Sequence, residues 1–114
     1  MDFRSQIKVE FEKAEQARGL GNEGQARVCA RRAAGQALTW LLSEHPKKGW
    51  SSVAIDQLKM LRDDESFPLH VREAGARLTT KISEQFAYRF SADPIDDATI
   101  IIDYVKSVLK RNAG

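Results

Sequence analysis

The chain has 114 residues, 42% hydrophobic and 30% charged, with a net charge of +2; it is read as one soluble domain over 1–114 with a core of its own, and nothing in the composition suggests disorder. Cys29 is the only cysteine, which excludes internal disulfides and a cysteine zinc site, and the small positive charge makes no case for nucleic acid by itself. No run approaches the roughly 20 apolar residues that cross a bilayer, and the charged start MDFRSQIKVEFEK lacks an apolar signal core, which predicts a cytoplasmic protein with no membrane partner.

Taken in order, the segments all read as helix. In the first, Phe3, Ile7, Phe11, Ala14 and Ala17 recur every three or four residues, and charged residues fill the other side. RGLGNEG ends it, with glycines able to take a left-handed cap. A second helix is predicted from about Glu23 to Ser43, stopped by Pro46. Ser51 or Ser52 can cap a short third helix carrying Ala54, Ile55, Leu58 and Leu61. Pro68 opens a fourth, read from Val71, Ala74, Leu78, Ile82 and Phe86. Asp93 before Pro94, with Asp96 and Asp97 in the first turn, starts a fifth, because carboxylates there meet unpaired amides and the positive end of the helix dipole. It carries Ala98, Ile101, Ile102, Val105, Val108 and Leu109 and ends in Lys106, Lys110 and Arg111. No segment alternates as a strand does. The expected fold is all-α: an up-and-down antiparallel bundle of about five helices, four forming the core and one short.

The second helix is apolar or small on nearly three sides. Ala26, Cys29, Ala33, Ala37 and Trp40 form one row, and Ala30, Ala34, Leu38 and Leu41 another. Small side chains let several neighbours approach, so this helix is expected at the centre. Its remaining face carries Arg27 and Arg31, with Gly35 one turn on. A glycine inside a helix costs roughly 1 kcal/mol against alanine, and a close contact that admits no Cβ would explain it: another helix, a second subunit or a ligand. The two arginines read either as a solvated edge paired with Glu10, Glu15 or Glu23, or as part of a phosphate-binding set with Arg32, Arg72 and Arg89, since guanidinium groups grip phosphate bidentately.

GNEGQARVCARRAAGQALTWLL resembles the second helix of HEPN domains, where a glycine-led turn precedes an alanine-rich run. EKAEQARGLGN fits the end of that family's first helix, and FAYRFSADPIDDATIIIDYVKSVL resembles its closing segment. The resemblance covers nearly the whole chain in order and spacing. It implies a helical bundle that often dimerises and is often encoded beside a small nucleotidyltransferase in a toxin–antitoxin pair. Many members are ribonucleases that use an arginine separated from a following histidine by four to six intervening residues. Here Leu38, Thr39 and Trp40 hold those positions before His45, and Asp63, Asp64 and Glu65 before His70; Arg62 is one step too far. The motif is absent, and Arg31, Arg32 and Gly35 depart from the family's usual glutamines and glutamate.

Other chemistry finds no footing. The two histidines have no carboxylate at ligand spacing and read as surface residues, no metal or cofactor is implied, and Cys29 on an apolar row reads as a small buried thiol. GLGNEG lacks the lysine and preceding strand of a phosphate loop. The residues favour a non-catalytic module that forms a homodimer and binds a protein partner such as a nucleotidyltransferase-like antitoxin. A nucleotide or RNA binder using the arginines comes second, and a divergent ribonuclease third. The expected dimer surface includes Ile100 and Tyr104, one turn apart and off the main stripe of the last helix, where TIIIDYV is apolar around most of its girth. If the bundle itself wraps that helix, the surface disappears.

Overall fold

α1 (Phe3–Gly19) starts where the Asp2 side chain accepts a hydrogen bond from the Ser5 amide at 2.8 Å, the expected work of an N-cap. The structure is a computed structural model that describes residues 2–80 and 93–113, and every regular element among them is a helix. α1 turns its Ile7, Ala14 and Ala17 stripe into the core. It closes through Gly21, whose φ of +77° puts it in the left-handed region, with the Asn22 amide donating back to the Ala17 carbonyl. Asn22 then caps the next helix by accepting from the Gln25 amide at 3.0 Å.

α2 (Glu23–Glu44) is the hub. It packs against α1, against α3 (Ala54–Asp63) and against α5 (Pro94–Ala113). Ala26, Ala30, Ala33, Ala34 and Ala37 on it are fully buried. Each contributes only a methyl group, so three neighbours can approach one axis. α4 (Leu69–Thr79) lies on α3 and α5 rather than squarely on α2. The larger core side chains come from the periphery: Leu58, Leu61, Leu78, Ile101 and Val105 are all fully buried. Each stabilises the fold by about 1.5–3 kcal/mol in surface removed from water.

Gly35 answers to α3. A Cβ built on it would lie 2.6 Å from the Ala54 Cβ and 3.2 Å from the Ala54 Cα. Of the close contacts the sequence allowed, the structure contains the one with another helix.

The chain directions follow from cross-contacts. Arg18 near the end of α1 pairs with Asp93 at the start of α5, so these two helices run antiparallel. Arg31 on α2 reaches the last turn of α4, so these two are antiparallel as well. α3 advances along α2 in the same sense, with Ala54 at Gly35 and Gln57 bonded to Thr39 at 2.9 Å. The four longer helices alternate in direction and the short one does not, because residues 45–53 return along the bundle before α3 begins.

One local expectation is corrected. Neither serine caps α3: Val53 holds the cap position, and the Ser51 hydroxyl instead accepts from the Val53 amide at 3.0 Å, two residues early. Pro68 opens α4 from its cap position. Asp97 lies in the first turn of α5 as expected, and it is also buried there, held by Arg77 at 2.8 Å. The proposed continuation of α4 through Ile82 and Phe86 lies outside the described residues.

Candidate functional site

The arginine face of α2 meets the C-terminal end of α4. Arg27 Nη2 donates to the Arg77 carbonyl at 2.5 Å and to the Thr80 carbonyl at 3.2 Å. Arg31 Nε donates to the Leu78 carbonyl at 2.5 Å. The last carbonyls of a helix have no partner within it and carry the negative end of its dipole, so two cations from another helix complete α4. Burial lowers the guanidinium pKa of both residues, and for Arg27 the neighbouring charge of Arg31 adds to the effect. Both stay protonated at any physiological pH. The alternative pairing with glutamates does not occur at Glu10, which bonds Lys13 at 3.7 Å, or at Glu23, which faces Arg18 at 3.7 Å.

Beside this cap lie two ion pairs that fasten α5. Arg18 grips both carboxylate oxygens of Asp93, and Asp93 Oδ1 also accepts from the Ile95 amide at 2.8 Å as the N-cap of α5. The Arg18 contact holds the Asp93 carboxyl below its ordinary pKa. Asp97 moves the other way: its burial outweighs the Arg77 pair and raises its pKa.

Of the five arginines read as a phosphate set, the structure brings Arg27 and Arg31 together. Arg32 is exposed on the next face, and Arg72 sits near the start of α4, where its Nε donates to the Arg62 carbonyl at 3.3 Å. Arg89 lies outside the described residues. Ile100 and Tyr104 are half-buried against the core, and the Tyr104 ring packs on Phe67 with centroids 5.7 Å apart. Phe67 also meets Trp50 at 5.9 Å, so a residue hidden in the polar run DDESFP is the hinge of an aromatic cluster. Cys29 is buried, as expected, with Gln25 Nε2 3.5 Å from its sulfur. Among the described residues no cluster of histidine, cysteine and carboxylate side chains is suited to a metal ion, and no helix is long and apolar enough to cross a membrane.

On the opposite side of α5 from Tyr104 lies a groove of about 1070 Å³ that local sequence pattern does not announce. α1 and α5 both pack on α2 but barely meet each other, and the space between them stays open. Ile7, Phe11, Trp40, Ile102 and Leu109 form its apolar floor. Trp40 closes one end, with Phe3 stacked on it at 6.5 Å and the Arg4 guanidinium 5.4 Å from its ring centre. Around that end stand Arg4, Lys8, Lys106 and Lys110, with Glu44 and His45; toward the other stand Glu12, Glu15 and Asp103. Each of these residues belongs to an ordinary helix stripe or polar face. What no single stripe reveals is that two helices sharing one neighbour fail to close on each other.

Compared with family models, with curated proteins and with solved structures, the chain finds no match.

Proposed function

We propose that this chain is a non-catalytic, HEPN-like helical module that forms a homodimer and binds a protein partner. A nucleotidyltransferase-like antitoxin is the partner class suggested by the HEPN resemblance. The observation that carries the reading is the open groove between α1 and α5. An apolar floor rimmed by both signs of charge is what protein recognition uses, and this groove offers one along about three turns of α1.

The polar groups elsewhere support the same preference. Arg27, Arg31, Arg77 and Arg18 are spent on carbonyls and carboxylates of their own chain, which leaves fewer free donors for a phosphate than the sequence offered. For the dimer, the accessible edges of Ile100 and Tyr104 remain the proposed contact.

Purification from native cells followed by mass spectrometry, with light scattering at micromolar concentration, tests the reading. A dimer that carries a stoichiometric protein partner is the expected result. A monomer that brings down no protein would overturn it.

A further inference from the structure

We infer that the α1–α5 groove seats one amphipathic helix of the partner protein, with acidic residues in the half that lies over Arg4, Lys8, Lys106 and Lys110 and basic residues in the half over Glu12, Glu15 and Asp103. This rests on the reading of the chain as a partner-binding module and says what the partner presents.

Shape comes first. The groove runs along α1 from Arg4 to Glu15, which at 1.5 Å per residue is about 17 Å, or three turns of helix. Its walls are two antiparallel helices on a common floor helix, so an entering helix would complete a four-helix arrangement with α1, α2 and α5.

Charge decides the chemistry of the occupant. Because α1 and α5 run antiparallel, the basic start of α1 lies beside the basic end of α5, where Glu44 is the one carboxylate among the described lining residues. The acidic residues of α1 and α5 gather toward the opposite end, with Lys8 and Glu12 paired at 4.0 Å between the halves. A lipid or other amphiphile with an anionic head would satisfy the basic end and lay its tail against three carboxylates. A helix with segregated charge satisfies both ends. Helices by themselves favour acids in the first turns and bases in the last, so such a helix enters with its N-terminal half at Trp40 and runs parallel to α1.

A second copy of this chain fits less well. Rotation about a two-fold axis would match the basic end of one groove to the acidic end of the other, but something apolar must also fill the space. The exposed large hydrophobics among the described residues are Val9, Leu20, Val53 and Leu69, on different elements and forming no ridge.

The test uses the whole chain and a synthetic peptide of about four turns, with leucines at helical spacing, glutamates in its first half, lysines in its second and a fluorophore at its C-terminus. Saturable binding is expected by fluorescence anisotropy. Glu12→Lys with Glu15→Lys should weaken it about tenfold, as should Lys106→Glu with Lys110→Glu; all four side chains are exposed, so folding is not at stake. A nitroxide at the peptide N-terminus should broaden the amide resonances of Arg4 and Lys110 more strongly than those of Glu15 and Thr99. No saturable binding, binding indifferent to both charge swaps, or broadening at the wrong end would each overturn the inference. So would a dimer that dissociates with Lys106→Glu and Lys110→Glu, which would give the groove to a second copy. A partner captured equally well by the charge-swapped variants would overturn the inference while leaving the module reading intact. Peptide binding with no cellular partner would sustain the groove's preference and overturn the module reading instead.

Discussion

Arg27 and Arg31 supply to α4 what its own backbone lacks, a positive charge and donors at its last carbonyls. Replacing either with methionine keeps most of the aliphatic stem and leaves those carbonyls poorly satisfied. Each change is expected to lower stability by about 1–3 kcal/mol, read as a lower urea midpoint with unchanged slope. If the pair served mainly as a phosphate site, stability would hold and mononucleotide binding would disappear. Asp93 and Asp97 make a pH prediction of opposite signs. Asp93 has a depressed folded pKa, so its contribution is full above the ordinary carboxylate pKa of about 4 and is lost as pH falls through its lower folded value. Asp97 has a raised folded pKa, so its ionised form costs stability, and that cost grows as pH rises from about 4 through the folded value. Asp93→Asn should therefore flatten the acid limb of a stability–pH curve, and Asp97→Asn should remove the opposing slope above it. An acid limb unchanged by Asp93→Asn would show that the Arg18 pair contributes little.

At the scale of elements, the meeting of α2 and α3 is the tightest constraint. Gly35→Ala improves helix propensity by roughly 1 kcal/mol, yet its Cβ would overlap Ala54 by more than a side-chain rotation can relieve. The expected net effect is a loss of about 1–3 kcal/mol, and Ala54→Gly in the same chain should recover most of it, as a double-mutant cycle by denaturant unfolding would measure. Much of this was legible beforehand: the small rows of α2, its central place, the close contact at Gly35 and the Asp93–Pro94 start of α5 all follow from local pattern. What was not legible depends on distance along the chain. The partners of Arg27 and Arg31 lie about fifty residues away, and no spacing rule links them. Gln57 stands on the buried side of α3 because Thr39 accepts its amide, a pairing invisible until the helices meet. The capping serines failed for a smaller reason: Ser51 spends its hydroxyl on a turn just before the helix begins.

For the molecule as a whole, two surfaces divide the possibilities. The end formed by α4 and the starts of α2 and α5 is fastened internally by cations, while the groove between α1 and α5 is left open, mostly basic toward Trp40, where Glu44 also stands, and acidic toward Glu15. Two of the five arginines read as a phosphate set, Arg27 and Arg31, lie at the first; the second was not foreseen, because a groove is a relation between helices rather than a property of one. His45 borders the groove and His70 is exposed at the start of α4, neither preceded by an arginine at the ribonuclease spacing. Purified protein is therefore expected to leave structured RNA and transfer RNA intact over hours in a gel assay. Cleavage abolished by His70→Ala would restore the ribonuclease reading.

The alanine spine of α2 also shapes which variants this protein can tolerate over generations. In a core built from leucines, most damage comes from removing atoms and leaving voids. Ala30, Ala33, Ala34 and Ala37 have almost nothing to remove, and they lie where three helices press on one axis. Injury there comes from addition: a valine or leucine must push a neighbouring helix outward, and the rigid packing around it does not yield. In a saturation library scored for folded protein, these positions should accept glycine, serine or cysteine in part and reject larger residues almost without exception. Leu58, Leu61 and Leu78 should show the reverse, accepting methionine or isoleucine and rejecting alanine. The hub of the fold is thus expected to resist drift, leaving change mainly to its rim.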